Sequence, residues 1–205
     1  MGHPLDALAS GGSAILGRPL SDTELQSFGK YLELLQKWQR SQRLLGSSDA
    51  GWIVEHVFLD SLLFLRVLPS RTESIADVGS GAGVPGVPIK IVRPDLRLTL
   101  IEARAKRTSF LSTLIRELGL RGTEVVTARV EAYALERPQA FDAVVMRCAG
   151  DFGELARAAE GLVTPGGAVI ASGPPRRRRL EVGEWVEVQG TEPGVSRRFA
   201  VHRPG

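Results

Sequence analysis

Cysteine is almost missing from this chain: Cys148 is the one example in 205 residues. A single thiol excludes an internal disulfide and any metal cluster built on cysteine spacing. No apolar run approaches the roughly 20 residues that a bilayer-spanning helix needs. The stretch from Met1 to Ser13 lacks a charged segment followed by an apolar one, so no secretory signal is expected and the cytoplasm is the expected compartment. No Gly-Lys-Ser or Gly-Lys-Thr follows the glycine-rich segment, which argues against a nucleotide triphosphatase. Internal repeats and low-complexity tracts are also absent, apart from a glycine-rich start between Gly2 and Gly17 that reads as partly disordered.

What is present is ordinary for a globular chain: 43% hydrophobic and 24% charged residues, in a length that suits one domain with a modest extension. The net charge is only +3 while the pI is near 9.4, and nearly all the positive charge is arginine. Arginine's planar fork suits phosphate and guanine, so a nucleic-acid partner is allowed without being required. Arg176, Arg177, Arg178 and Arg179 form one block, which taken alone is more often a solvated loop.

Hydrophobic spacing divides the chain. Ser21 and Glu24 form a capping-box pattern, and Leu25, Phe28, Leu32, Leu35 and Trp38 then recur at helical intervals. A second helix fits Trp52 to Val67, ahead of Pro69. From Ser74 onward strands (74–78, 97–102, 123–127, 141–146, 167–172) alternate with helices (85–92, 105–118, 151–162). Such alternation predicts an α/β fold with a mostly parallel sheet covered on both faces. Two further runs, 184–188 and 197–202, flank the turn-like Thr191-Glu-Pro-Gly194 and predict a closing antiparallel hairpin. The division read from this is a flexible segment 1–20, a helical extension 21–70 and a Rossmann-like domain 71–205.

Asp77-Val-Gly-Ser-Gly-Ala-Gly83 follows a short apolar strand and leads into a helix marked by Pro85. Glycines there let the backbone turn sharply at the carboxyl end of a parallel strand, where such sheets bind ligands. Glu102 ends the next strand and is placed to accept hydrogen bonds from ribose hydroxyls, so the ligand carries a nucleoside. A dinucleotide site shares that feature. Asp77 ahead of the glycines, suited to a positively charged methionine end, the terminal hairpin and the short chain all favour S-adenosylmethionine instead. Asp77, Gly79, Ser80, Gly81, Gly83 and Glu102 are therefore the candidate cofactor residues.

The segment after the fourth strand reads Phe141-Asp-Ala-Val-Val-Met-Arg-Cys-Ala-Gly150. The Asn/Asp-Pro-Pro-aromatic pattern of exocyclic-amine methylation is missing, and Gly173-Pro-Pro175 follows the fifth strand instead. Cys148 lacks the Pro-Cys or Thr-Cys setting of a pyrimidine C5 nucleophile and reads as a packed small residue. What remains is Arg147 and no general base. Guanine N7 has a free lone pair, so its methylation needs no prior proton removal; positioning and electrostatics suffice. Arginine also matches the O6 and N7 edge of guanine.

These motifs resemble the bacterial small-subunit rRNA guanine-N7 methyltransferases, the glucose-inhibited division protein B family. The resemblance rests on Asp77-Val-Gly-Ser-Gly-Ala-Gly-Val-Pro-Gly86, Lys106-Arg107 with Phe110-Leu111, Arg129-Val-Glu131, and Phe141-Asp142 with Arg147. Leu35-Gln-Lys-Trp38 and Leu59-Asp-Ser-Leu62 extend it to the helical part, so it covers the chain from about Asp22. It implies a class I S-adenosylmethionine-dependent methyltransferase acting on 16S rRNA or a small-subunit precursor, monomeric, with no metal and no membrane partner. Carried over, Gly79 and Val84 line the cofactor, Val130 and Glu131 meet its adenine, and Glu102 meets its ribose. Arg147 lies between cofactor and target base, and Lys106 and Arg129 lie near the RNA or the target guanine. Without the family, Lys106 reads equally as a solvated helix residue and Arg129 as a surface charge.

Three departures from the family pattern fall outside the glycine loop. Arg43-Leu-Leu45 stands where Asn-Leu-Thr is usual, Ser172-Gly173 where Lys-Gly is usual, and His56 to Asp60 carries one residue more than the usual spacing. They keep open a paralogue with another RNA target, or an RNA-binding protein of this fold with weakened catalysis. A small-molecule methyltransferase is disfavoured by the basic block.

Overall fold

The computed structural model describes residues 4–147, 151–173, 179–191 and 194–204. Cys148, Pro174, Pro175, Arg176, Arg177, Arg178 and the middle of the turn at 192–193 lie outside them, as do residues 1–3. The elements are, in order, α1 (Pro4–Leu16), α2 (Asp22–Gln42), and a helical run made of α3 (Ala50–Ile53), a π-helical turn (Val54–Leu59), α4 (Asp60–Leu62) and a 3₁₀ turn (Leu63–Arg66). Then follow β1 (Ser74–Val78), α5 (Gly86–Val92), β2 (Arg97–Ile101), α6 (Ala105–Leu118) and β3 (Thr123–Val126). The chain continues through α7 (Val130–Glu136), β4 (Phe141–Arg147), α8 (Phe152–Glu160), β5 (Val163–Ser172), β6 (Glu184–Gln189) and β7 (Ser196–His202).

Seven strands form one sheet in the order β3-β2-β1-β4-β5-β7-β6. The first five run parallel, and β7 pairs antiparallel with both β5 and β6. Strand order reverses between β1 and β4, which makes their carboxyl ends the ligand crevice expected of open α/β sheets. Side-chain alternation splits the interior into two layers. Ile75, Ala143, Val145 and Ile170 face a core shared with α1, α2, the helical run, α5 and α6. Their neighbours Ala76, Val144, Met146 and Val169 face α7 and α8.

The helical extension is thus built into the core. Phe28 and Tyr31 of α2 stack on Phe58 at centroid distances of 5.1 and 5.0 Å, and Trp38 meets Phe110 of α6 edge-on at 5.5 Å. The capping box at the start of α2 is formed as its sequence predicts: Ser21 accepts from the Glu24 N–H while Glu24 accepts from the Ser21 N–H. Among the described residues no helix is long and apolar enough to cross a membrane.

The segment read as flexible, 1–20, needs correction. It contains α1, whose Leu8 is fully buried. The glycines that suggested disorder are there for packing. A Cβ on Gly11 would lie 2.7 Å from a Leu59 methyl and one on Gly12 2.5 Å from a Leu20 methyl, so the helix sits this close to those side chains because it has none.

The His56–Asp60 stretch, read from the sequence as one residue longer than the family spacing, overlaps the π-helical turn. A π turn absorbs one residue within an α-helix without shifting the register on either side. The Arg43 departure also has a place: Arg43 is the C-cap of α2, at φ 46° in the left-handed region, where Asn is the more comfortable non-glycine residue.

Candidate active site

The glycine loop leaves β1 at Val78 and is pinned to the end of β2. The Gly79 and Ser80 N–H groups donate to the Ile101 carbonyl at 2.8 and 3.2 Å. The Ser80 hydroxyl, itself buried, donates to the Asp77 carbonyl at 2.7 Å. Gly83 has φ +89°, and a Cβ there would stand 2.9 Å from the Tyr31 hydroxyl and 3.0 Å from Val87, so glycine is needed for both conformation and room. Gly79, at φ +69°, faces open space on its Cβ side, so the mouth of the loop is clear for a ligand. Tyr31 reaches across from α2 and donates its hydroxyl to the Ala82 carbonyl at 2.6 Å. Burial and the nearby Asp77 hold its phenol well above the ordinary tyrosine range, so it stays a donor.

Two carboxyls frame this loop. Glu102, nearly buried, accepts from the Gly81 N–H at 3.0 Å and from the Arg104 N–H at 2.9 Å, with the Arg107 guanidinium 3.6 Å away. Asp77 is fully buried, and its Oδ2 accepts from the Gly86 N–H at 2.8 Å. Its Oδ1 is buried with no hydrogen-bond partner. Burial pushes the Asp77 carboxyl up to about 7, with the Glu102 charge adding to the rise, against the opposing pull of the Gly86 N–H and Arg147. An orphaned buried carboxylate oxygen is costly unless a donor reaches it. It suits the ammonium group of a cofactor's methionine end.

Arg147 ends β4 across the switch point from Asp77. Burial pulls its guanidinium below the ordinary value, while Asp60, Tyr31 and Asp77 pull the other way; arginine stays charged throughout. Both the loop carboxylate of Asp77 and Asp60 of the helical run thus act on this one guanidinium. Beyond it lies a cavity of about 400 Å³ lined by His56, Asp60, Phe64, Arg147, Ser172, Gly173, Ser196, Arg197, Arg198 and Phe199. Asp60 accepts from Arg197 Nε at 3.0 Å.

The structure brings Asp77, Gly79, Ser80, Gly81, Gly83, Val84, Glu102 and Arg147 to one end of β1, β2 and β4. Val130 is buried at the head of α7, with Glu131 exposed beside it, following the end of β3. Lys106 and Arg129 are exposed at the heads of α6 and α7, on the same edge of the sheet. Sequence reasoning missed Tyr31 and the Asp60 cavity. Tyr31 stood within the apolar pattern of α2, and the cavity collects residues far apart in the chain. Among the described residues, no group of three or more His, Cys, Asp or Glu could hold a metal ion.

The fold is shared with solved methyltransferases. A precorrin-6Y C5,15-methyltransferase from Geobacter metallireducens aligns over 80% of this chain and 92% of its own, with TM-score 0.53 and 15% identity. An S-adenosylmethionine-dependent methyltransferase from Aquifex aeolicus aligns over 70% and 89%, with TM-score 0.51 and 14% identity. Among curated proteins, the ribosomal RNA small subunit methyltransferase G of Laribacter hongkongensis is 37% identical over 89% of this chain and 78% of its own. The protein of the same name from Chromobacterium violaceum is 36% identical over 78% and 75%. With residues 24–174 matched by the family model described as GidB, rRNA small subunit methyltransferase G, the chain belongs to that family.

Proposed function

We propose that this chain transfers the methyl group of S-adenosylmethionine to N7 of a guanine in 16S rRNA, in the small ribosomal subunit or its precursor. The observation that carries this reading is the pairing of an intact cofactor cradle with an arginine-rich cavity lined by Arg147. The cradle consists of the glycine loop, the orphaned Asp77 Oδ1 and Glu102.

S-adenosylmethionine supplies a methyl group already activated as a sulfonium. The protein's part is therefore to bind, orient and stabilise. Asp77 meets the ammonium of the methionine end with its free oxygen, and its other oxygen stays on Gly86. Gly79, Ser80, Gly81, Gly83 and Val84 form the floor under the ribose and methionine. Glu102 has lone pairs left beyond its two backbone donors and accepts from the ribose hydroxyls. Val130 supplies an apolar contact for the adenine and Glu131 a polar one. Arg147 holds the target base against the methyl group, and Lys106 and Arg129 contact RNA phosphates near the rim. N7 attacks through a lone pair, so no side chain has to take a proton before transfer.

The test is methyl transfer in vitro. Purified protein, tritiated S-adenosylmethionine and small subunits from cells lacking the gene are combined, and the RNA is digested to nucleosides. Label in 7-methylguanosine is the expected result; label elsewhere, or none despite cofactor binding, overturns the reading.

A further inference from the structure

We infer that Asp60, together with Arg147, reads the base and selects guanine. This inference rests on the methyl-transfer reading above and names the recognition chemistry of the same site. His56, Asp60 and Phe64 stand four residues apart along the helical run and together line one wall of the cavity beyond Arg147. The run carries its π turn between residues 54 and 59, so the wall is set by an irregularity and not by a plain helix.

The cavity, about 400 Å³, falls in the size range of small-molecule sites. Its charged lining is uneven: Arg147, Arg197 and Arg198 are donors, and Asp60 is the one acid among the described lining residues. Arg197 Nε donates to Asp60 Oδ1 at 3.0 Å and anchors that carboxylate at the cavity wall. Asp60 and Arg147 line the same cavity, and the Asp60 and Asp77 charges both act on that arginine.

A donor beside an acceptor is what guanine's edge demands. Guanine presents the O6 acceptor next to the N1–H and N2–H₂ donors, and adenine presents an N6–H₂ donor next to the N1 acceptor. Arginine only donates and a carboxylate only accepts, so Arg147 beside Asp60 fits guanine and opposes adenine at both positions. Enzymes acting on an unstacked base commonly read this edge and stack the ring on aromatic or apolar side chains, a part open to Phe64 and His56. With Asp60 on N1–H and N2–H₂ and Arg147 on O6, N7 is the next position along the base on the side away from Asp60, clear of both contacts. Methylation leaves a positive charge on the base, which the Asp60 carboxylate also stabilises.

The test uses full-length protein saturated with S-adenosylhomocysteine, titrated with guanosine, inosine and adenosine 5′-monophosphates, alongside methyl transfer to small subunits lacking the modification. Wild-type protein binds the guanosine nucleotide at least about tenfold more tightly than the other two, the worth of a charged hydrogen bond. Asp60→Asn removes that preference and lowers kcat/KM for methyl transfer about tenfold or more, with S-adenosylmethionine affinity within twofold of wild type. Arg197→Gln breaks the ion pair from the other side, leaves the acceptor in place, and keeps the guanine preference. Equal binding of the three nucleotides by wild type, or an unchanged preference in Asp60→Asn, overturns the assignment, as does loss of preference in both variants alike. Wild-type protein that binds S-adenosylmethionine and prefers guanosine yet labels no small-subunit RNA contradicts the rRNA reading and leaves the base assignment standing.

Discussion

Asp77 concentrates the chemistry of the cofactor side in one buried carboxyl, and its protonation gives a test of its role. Its pKa is about 7 in the folded protein and in the ordinary low range when unfolded. The folded state therefore binds the proton more tightly, and this group's contribution to stability falls as pH rises from about 4 to 7. With Asp77 proposed as the partner of the methionine ammonium, cofactor binding needs the opposite form, because an ammonium pairs with the ionised carboxylate. S-adenosylmethionine affinity is thus expected to tighten between pH 6 and 8 and to level off above. Asp77→Asn weakens binding and flattens that dependence, as calorimetry across the range would record. A wild-type affinity that is flat with pH would remove Asp77 from the ammonium site. Arg43 supplies a second test at this scale. Its left-handed φ of 46° costs a non-glycine side chain on the order of 1 kcal/mol. Arg43→Gly is expected to raise stability by roughly 0.5–1 kcal/mol in urea titration, and an unchanged or lower midpoint would mean that the left-handed turn carries no strain.

The glycine loop was legible because its chemistry is local: an acid, three glycines and the next strand's terminal Glu102 lie within 26 positions of sequence. Asp60, Arg147, Arg198 and Phe199 meet only through the sheet order, which no spacing rule reveals.

Among elements, α2 has the largest effect on the site, since its Tyr31 holds the loop carbonyl of Ala82 from below. Tyr31→Phe leaves that buried carbonyl without its donor, a loss of about 1–3 kcal/mol. The expected outcome is a lower unfolding midpoint with weakened S-adenosylmethionine binding. Midpoint and affinity both unchanged would mean that the loop holds its shape without α2. The same elements show where sequence patterns carry and where they fail. Helix α6 matches its expected span because Phe110, Leu111 and Leu114 give a clear buried stripe and Gly119 stops it in the left-handed region. Helix α7 escaped notice because it is one short stretch with two buried residues, Val130 and Tyr133, and no side-chain cap. Strand β5 starts at Val163, earlier than expected, since Thr164-Pro-Gly-Gly167 looks like a turn. It is accommodated by a register shift opposite Phe141 and Ala143. Helix α1 was hidden by the glycines that let it pack.

At the scale of the whole molecule, the cationic side chains of the site gather on one edge of the sheet, around the carboxyl ends of the parallel strands. Lys106, Arg129 and Arg147 all follow or end those strands. RNA bound at this edge releases counterions, so log affinity should fall with log salt, by roughly 0.7 per neutralised phosphate on single strands. Replacing Lys106 and Arg129 together by Gln is expected to reduce that slope by between one and two phosphates' worth while leaving S-adenosylmethionine affinity unchanged. An unaltered slope in filter binding would move the RNA path away from these heads of α6 and α7.

The central claim joins the two halves of the molecule: the cofactor cradle on β1 and β2 serves a guanine held beyond Arg147. Mapping 7-methylguanine across the 16S rRNA of cells lacking the gene tests it most directly. The account predicts that one 7-methylguanine disappears and returns with the wild-type gene but not with Asp77→Asn. An unchanged set of 7-methylguanines in the deleted strain would contradict it.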